Sequence, residues 1–134
     1  MDLHTAASSA KPRPKHILIV DDEAVIRDMM VDILDLEGFE VIVARNGREA
    51  LTRLREATPD EGFLIFLDLM MPIMDGYDLC YAIHADKILH QLHTVVIMSA
   101  LDQLARATSL HADATMPKPF DVEDIMNIIH VYME

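Results

Sequence analysis

Five polar residues stand where they could act together: Asp21 and Asp22 behind the run His16-Ile17-Leu18-Ile19-Val20, Asp68 behind Phe63 to Leu67, Ser99 behind Val95 to Met98, and Lys118 behind Ala114 to Met116. Each follows a short apolar run of the kind that forms a buried strand. In open α/β sheets ligands bind beyond the carboxyl ends of the strands, where the strand order reverses. With the order 2-1-3-4-5 these groups lie side by side. Neighbouring strands are about 4.8 Å apart, so carboxylates leaving strands one and three converge on one point. Three carboxylates that close repel one another, and a hard divalent cation with oxygen ligands relieves the repulsion. Magnesium suits a small site that keeps several waters.

The elements that must hold these groups follow from hydrophobic periodicity. His16 to Val20 is apolar and β-branched after its first residue, as a strand buried on both faces should be. Ile26, Met29, Met30 and Ile33 recur at helical spacing, and Gly38 is a C-terminal stop. Glu40 to Ala44 reads as the second strand, Arg48 to Ala57 as the second helix and Phe63 to Leu67 as the third strand. Tyr77 to about Ala85 is a third helix, Val95 to Met98 a fourth strand, Gln103 to Leu110 a short fourth helix and Ala114 to Met116 the fifth strand. Asp121 caps a last helix whose apolar stripe is Ile125, Ile128, Ile129 and Tyr132. Alternating strands and helices imply right-handed crossovers and a doubly wound α/β domain with a five-stranded parallel sheet. Residues 1–14 are small, polar and broken by Pro12 and Pro14, and read as a flexible leader to a domain over 15–134.

Composition narrows the function. A chain of 134 residues fits one domain with a sizeable core. Its net charge of -12 argues against direct binding of nucleic acid phosphates. Cys80 is the single cysteine, so no intramolecular disulfide forms, and a reducing cytoplasm fits best. No apolar run reaches the roughly 18 residues of a membrane span, and no signal peptide is evident.

Four strings, in order and each at a strand end, resemble the response-regulator receiver family of two-component signalling, the CheY-like domains. They are Val20-Asp21-Asp22-Glu23, Phe66-Leu67-Asp68-Leu69-Met70-Met71-Pro72 with Met74-Asp75-Gly76, Met98-Ser99-Ala100, and Lys118-Pro119-Phe120. The resemblance implies the flavodoxin-like (βα)5 fold and a signalling switch rather than an enzyme acting on a separate substrate. It implies Asp68 as phosphoryl acceptor, with Mg²⁺ held by Asp22, Asp68 and the Met70 carbonyl and with Asp21 helping through water. Ser99 and Lys118 would hold the phosphoryl oxygens, and the Lys118-Pro119 peptide would be cis. The implied partners are a sensor histidine kinase or histidine phosphotransfer protein, which supplies a phosphohistidine, and a downstream protein target. A homodimer stays open. A stand-alone regulator is the simplest reading, with a receiver module of a hybrid kinase as the alternative.

Blander readings weigh against single residues. An acidic residue at a strand end is often only a helix cap, a fair reading of Asp21 taken alone. His84, His90 and His93 match no standard zinc spacing, and Cys80 reads as inert packing. A haloacid-dehalogenase-like phosphatase would carry a second Asp where this chain has Met70. A flavodoxin-like cofactor binder would have a Ser/Thr/Gly-rich loop after strand one. A degenerate receiver acting as a phosphorylation-independent interaction module would lack the acidic pair or the acceptor. Two departures from the family pattern bear on output: Thr115 stands where the family usually has an aromatic switch residue, and the interval from Ser99 to Lys118 is shorter by about one helical turn. Met70 and Leu101 flank the site where many relatives carry polar side chains that position water, which implies a persistent phosphoryl group. Dephosphorylation well above the rate of a Met70→Asn variant would count against that reading.

Overall fold

The computed structural model describes residues 11–134, apart from the side chains of Leu101, Leu104, Arg106 and Thr108. Five parallel strands form one sheet in the order β2-β1-β3-β4-β5. They are β1 (His16–Val20), β2 (Val41–Ala44), β3 (Phe63–Asp68), β4 (Thr94–Ala100) and β5 (Ala114–Lys118). Six α-helices connect and cover them: α1 (Ala24–Leu36), α2 (Gly47–Arg55), α3 (Gly76–Ala85), α4 (Lys87–Leu92), α5 (Leu101–Ala107) and α6 (Val122–Met133). A 3₁₀ turn over Thr108–Leu110 follows α5. Among the described residues no helix is long and apolar enough to cross a membrane.

Strand alternation divides the core in two, because successive side chains point to opposite faces. Ile17, Ile19, Leu64, Phe66, Val96 and Met98 pack with Met30 and Leu34 of α1 and Ile125 and Ile129 of α6. Leu18, Val20, Ile65, Leu67, Val95 and Ile97 pack with Leu54 of α2, Leu79 and Ile83 of α3, and Leu89 of α4. β3 lies at the centre, and all six of its residues are buried. That is why the strands read as continuous apolar runs.

Local chemistry sets the helix ends. Asn46 and Asp75 accept the backbone N–H of Glu49 and Asp78, and Asp121 forms a reciprocal capping box with Asp124. Gly38 ends α1 with φ of 87°, a left-handed conformation that glycine adopts without strain. Its N–H donates to the Asp35 carbonyl.

Several element ends differ from the sequence reading. β4 starts one residue earlier, at Thr94, and runs on through Ser99 to Ala100, while β5 extends to Lys118. The polar end residues keep the backbone pairing of their strands, which an apolar pattern cannot show. The crossover from β3 to β4 holds a second helix, α4, absent from the sequence reading. Asp86 is extended, with φ −100° and ψ 110°, and its carboxylate accepts from the N–H groups of Ile88 and Leu89. One residue thus stops α3 and starts α4. The fourth helix of the sequence reading begins earlier, at Leu101, and its last three residues are 3₁₀.

Within residues 1–14, only 11–14 are described, and these lie on the domain. Pro14 is buried, and the Lys11 Nζ donates to the His93 carbonyl at 2.7 Å and to Asp113 at 2.9 Å.

Candidate functional site

Sheet register brings the acidic residues together. Val20 pairs with Leu67, so Asp21, the next residue, stands level with Asp68. Asp68 pairs with Met98, and Ser99 with Pro117, which puts Ser99 and Lys118 one and two rows further along the adjacent strands. Asp21 and Asp68 are buried, while Asp22 is exposed at the rim. One carboxylate oxygen from each of the three lies within 4.8 Å of the other two.

Lys118 closes the pocket from the β5 side. Its Nζ donates to Asp21 Oδ2 at 3.0 Å and stands 3.3 Å from Asp68 Oδ1. Asp21 is held further by the Glu23 N–H on its Oδ1 at 2.9 Å, and the Arg27 guanidinium donates to its carbonyl at 2.8 Å. Asp21 therefore belongs to the pocket and braces the turn before α1, whose N-cap is Glu23 without a side-chain cap bond, so the helix-cap reading of Asp21 is not met.

Charge balance in the pocket is incomplete. Burial and the nearby Asp21 carboxylate push the Asp68 carboxyl up to about 6, against the opposing pull of Lys118. Burial by itself would lower the Lys118 ammonium, yet the hydrogen bond and charge of Asp21 outweigh it and hold the group above its usual range. One ammonium among three carboxylates leaves net negative charge in a half-closed, oxygen-lined space. Such a set fits a small hard cation, and Asp21, Asp22 and Asp68 are the side chains that could hold it.

The loop after Asp68 is tightly held. The Gly76 N–H donates to the Leu69 carbonyl at 2.9 Å, and a Cβ on Gly76 would stand 2.4 Å from the Asp68 carbonyl oxygen. A Cβ on Gly47 would stand 2.8 Å from the Met74 carbonyl oxygen, which accepts the Gly47 N–H. Both glycines allow a backbone approach that no other residue permits. Between them Ile73 takes φ of 70°, an outlier for a β-branched residue, in an exposed loop beside the acidic pocket. Met70 is exposed in the same loop.

The Ser99 side chain is buried and donates to Gln103 Oε1 of α5 at 2.5 Å. Gln103 is a partner the sequence reading missed, and an i,i+4 relation across a strand–helix junction is the faint signal that could have revealed it. Thr115 is exposed on β5 opposite Ile97, two rows short of Ser99, and so lies on the sheet edge outside the acidic cluster. The Lys118-Pro119 peptide is cis. The Leu101 side chain lies outside the described residues. Of the three neighbouring histidines, His93 is buried in the sheet end, where its Nδ1 accepts the Phe63 N–H, and so stands apart from His84 and His90.

Fold and pocket together define a doubly wound module with a lysine-closed acidic site at its switch point. The family model described as response regulator receiver domain matches residues 17–130, and the chain belongs to that family. The alkaline phosphatase synthesis transcriptional regulatory protein SphR of Synechococcus elongatus is 35% identical over 94% of this chain and 51% of its own length. The DNA-binding response regulator MtrA of Mycobacterium tuberculosis is 35% identical over 84% of this chain and 47% of its own. The chain thus spans about half the length of these curated relatives. Among solved structures, TrrA of Thermotoga maritima, in complex with Mg²⁺ and BeF, is similar with a TM-score of 0.76 and 26% identity over 89% of this chain and 99% of that one. Vibrio cholerae CheY4 has a TM-score of 0.76 and 25% identity over 90% and 99%. The chain is therefore a receiver domain of two-component response regulators.

Proposed function

We propose that this receiver accepts a phosphoryl group on Asp68 with Mg²⁺ and uses it to change the state of the β4–α5 junction. The observation that carries the proposal is the clustering of Asp21, Asp22 and Asp68, one carboxylate oxygen of each within 4.8 Å of the others, with the Lys118 ammonium 3.0 Å from Asp21 and 3.3 Å from Asp68. Bound Mg²⁺ would neutralise the carboxylates and the incoming phosphoryl oxygens, with Asp22, Asp68 and the Met70 carbonyl as its protein ligands and Asp21 acting through water.

Asp68 is the nucleophile. Its carboxylate oxygen bonds to the phosphorus of a phosphohistidine on a sensor kinase or phosphotransfer protein, the P–N bond breaks, and the imidazole leaves with the electron pair. An acyl phosphate results. Most of the rate comes from positioning and charge neutralisation, the recurring pattern of phosphoryl transfer. The Lys118 ammonium, already 3.3 Å from Asp68, meets one of the new oxygens.

Readout begins at Ser99. To meet a phosphoryl oxygen its hydroxyl gives up Gln103, which frees one tie between β4 and α5. Moving a switch from mostly off to mostly on takes about 5.5 kcal/mol, and charge-assisted hydrogen bonds contribute roughly 1.5–3 kcal/mol each. Contacts from Ser99 and Lys118 are therefore about sufficient. The receiving partner is a protein. A phosphorylation-independent interaction module would not need Asp68, its acidic neighbours and Lys118 held together in this way.

Thermal unfolding with Mg²⁺ and beryllofluoride, a phosphoryl mimic, tests the proposal. A ligand that binds only the folded state raises its stability. A higher Tm in the native chain, with no change in Asp68→Ala, is the expected result. Equal behaviour of the two proteins would favour the interaction module.

A further inference from the structure

The start of α1 departs from helix preference in three ways. Its N-cap, Glu23, makes no side-chain cap bond, its first turn holds no acidic residue, and the turn is closed by a cation, Arg27, whose backbone N–H donates to the Glu23 carbonyl at 3.1 Å. A positive side chain near a helix N-terminus opposes the helix dipole, and such departures concentrate at functional sites. Arg27 is half-buried and has no ion pair among the described residues. Its guanidinium reaches back instead to the Asp21 carbonyl, to which it donates at 2.8 Å. Glu49 of α2, the carboxylate that feels the Arg27 charge, is already engaged by Arg45 at 2.7 Å.

We propose that Arg27 is a positioning residue for the acidic pocket: by holding the Asp21 carbonyl it fixes the Asp21–Asp22 peptide and so keeps the Asp22 carboxylate at the pocket rim. This rests on the reading of that pocket as a Mg²⁺ site. The two neighbouring carboxylates are held differently. Asp21 is buried, and its oxygens accept from the Glu23 N–H and from Lys118. Asp22 is exposed, and among the described residues its carboxylate accepts no hydrogen bond and has no ion pair, although it stands within 4.8 Å of the Asp21 and Asp68 oxygens. Two like charges push it outward. The backbone must resist that push. Asp21 ties it on one side through its N–H to the Ala44 carbonyl at 3.2 Å, and Arg27 ties the peptide that carries Asp22.

A guanidinium suits this task. Its planar fork of donors is pre-organised for oxygen acceptors, and its charge offsets part of the repulsion among the carboxylates. Groups that orient metal ligands without touching the ion commonly change metal affinity by roughly 10–100-fold. A lysine at the same place keeps the charge but offers a flexible point donor in place of the fork. Arg27→Lys therefore loses part of the positioning, whereas Arg27→Met loses both the positioning and the charge.

Titration of the full chain with Mg²⁺, followed by backbone amide NMR shifts, tests the assignment, because the shifts report affinity in the folded state whatever a variant does to stability. Arg27→Met should bind Mg²⁺ roughly tenfold more weakly than the native chain, with Arg27→Lys in between. Val25→Ala, an exposed change in the same turn, should bind as the native chain does. In an Asp22→Asn background the carboxylate to be positioned is gone, so adding Arg27→Met should cost only about twofold or less. Native affinity in Arg27→Met, or an undiminished loss in the Asp22→Asn background, would overturn the proposal and leave the Mg²⁺ reading intact. No Mg²⁺ binding by the native chain would remove both.

Discussion

Asp68 is asked to be both buried and ionised, and the tension has a measurable sign. Its carboxyl is pushed up to about 6 in the folded chain, above the roughly 3.9 of an unfolded Asp. Between those values the native state binds more protons than the unfolded state, so the contribution of Asp68 to stability falls as pH rises through the window. At pH 7 without metal, Asp68→Asn should therefore be more stable than the native chain by about 1–3 kcal/mol. The gain should shrink towards pH 4, and saturating Mg²⁺ should stabilise the native chain more than the variant. Urea denaturation at two pH values, with and without Mg²⁺, reads all three. A less stable Asp68→Asn at pH 7 would contradict the electrostatic reading of the pocket.

Among the elements, the β4–α5 junction would carry the proposed switch. Ser99 donates to Gln103 in the state described, and under the proposed function Gln103 is a latch that phosphorylation releases. A neutral hydrogen bond contributes about 1 kcal/mol, and removing it should tighten beryllofluoride binding about fivefold in Gln103→Ala. Ser99→Ala, which loses the contact in both states, should weaken binding instead. Unchanged affinity in Gln103→Ala would rule out the latch.

At this scale the sequence was informative where one side-chain pattern served one role. Buried parallel strands show as apolar runs, and Asp121 and Gly38 mark their helix ends by capping chemistry. The positions of Asp21, Asp22, Asp68, Ser99 and Lys118 were readable, because each sits where an apolar run stops. What escaped was relational. Asp86 looks like any polar surface residue until its carboxylate is seen to cap α4, and Gln103 gains meaning only from Ser99. The close approach at Gly47 depends on a loop nearly thirty residues away.

For the whole molecule, loss of stability in acid has a source in His93. The side chain is fully buried, its Nδ1 accepts the Phe63 N–H, and its Nε2 has no partner among the described residues. Burial, with Lys11 adding to it, pushes its pKa down to about 4. The unfolded chain takes up a proton near pH 6.5 that the native chain refuses until about pH 4, so stability is lost as pH falls through that interval. The effect is on the order of 3 kcal/mol. Because Asp68 acts in the opposite direction over nearly the same range, the comparison belongs in an Asp68→Asn background. There, adding His93→Gln should flatten the fall in urea midpoint between pH 7 and pH 4.5. An equally steep fall would place the acid sensitivity elsewhere.

The most direct test of a phosphoryl switch is intact mass after incubation with acetyl phosphate and Mg²⁺, run beside Asp68→Ala and a chelator control. One added phosphoryl group, absent from both controls, is the expected result. An adduct that survives in Asp68→Ala, or none from acetyl phosphate or a phosphohistidine donor, would contradict it.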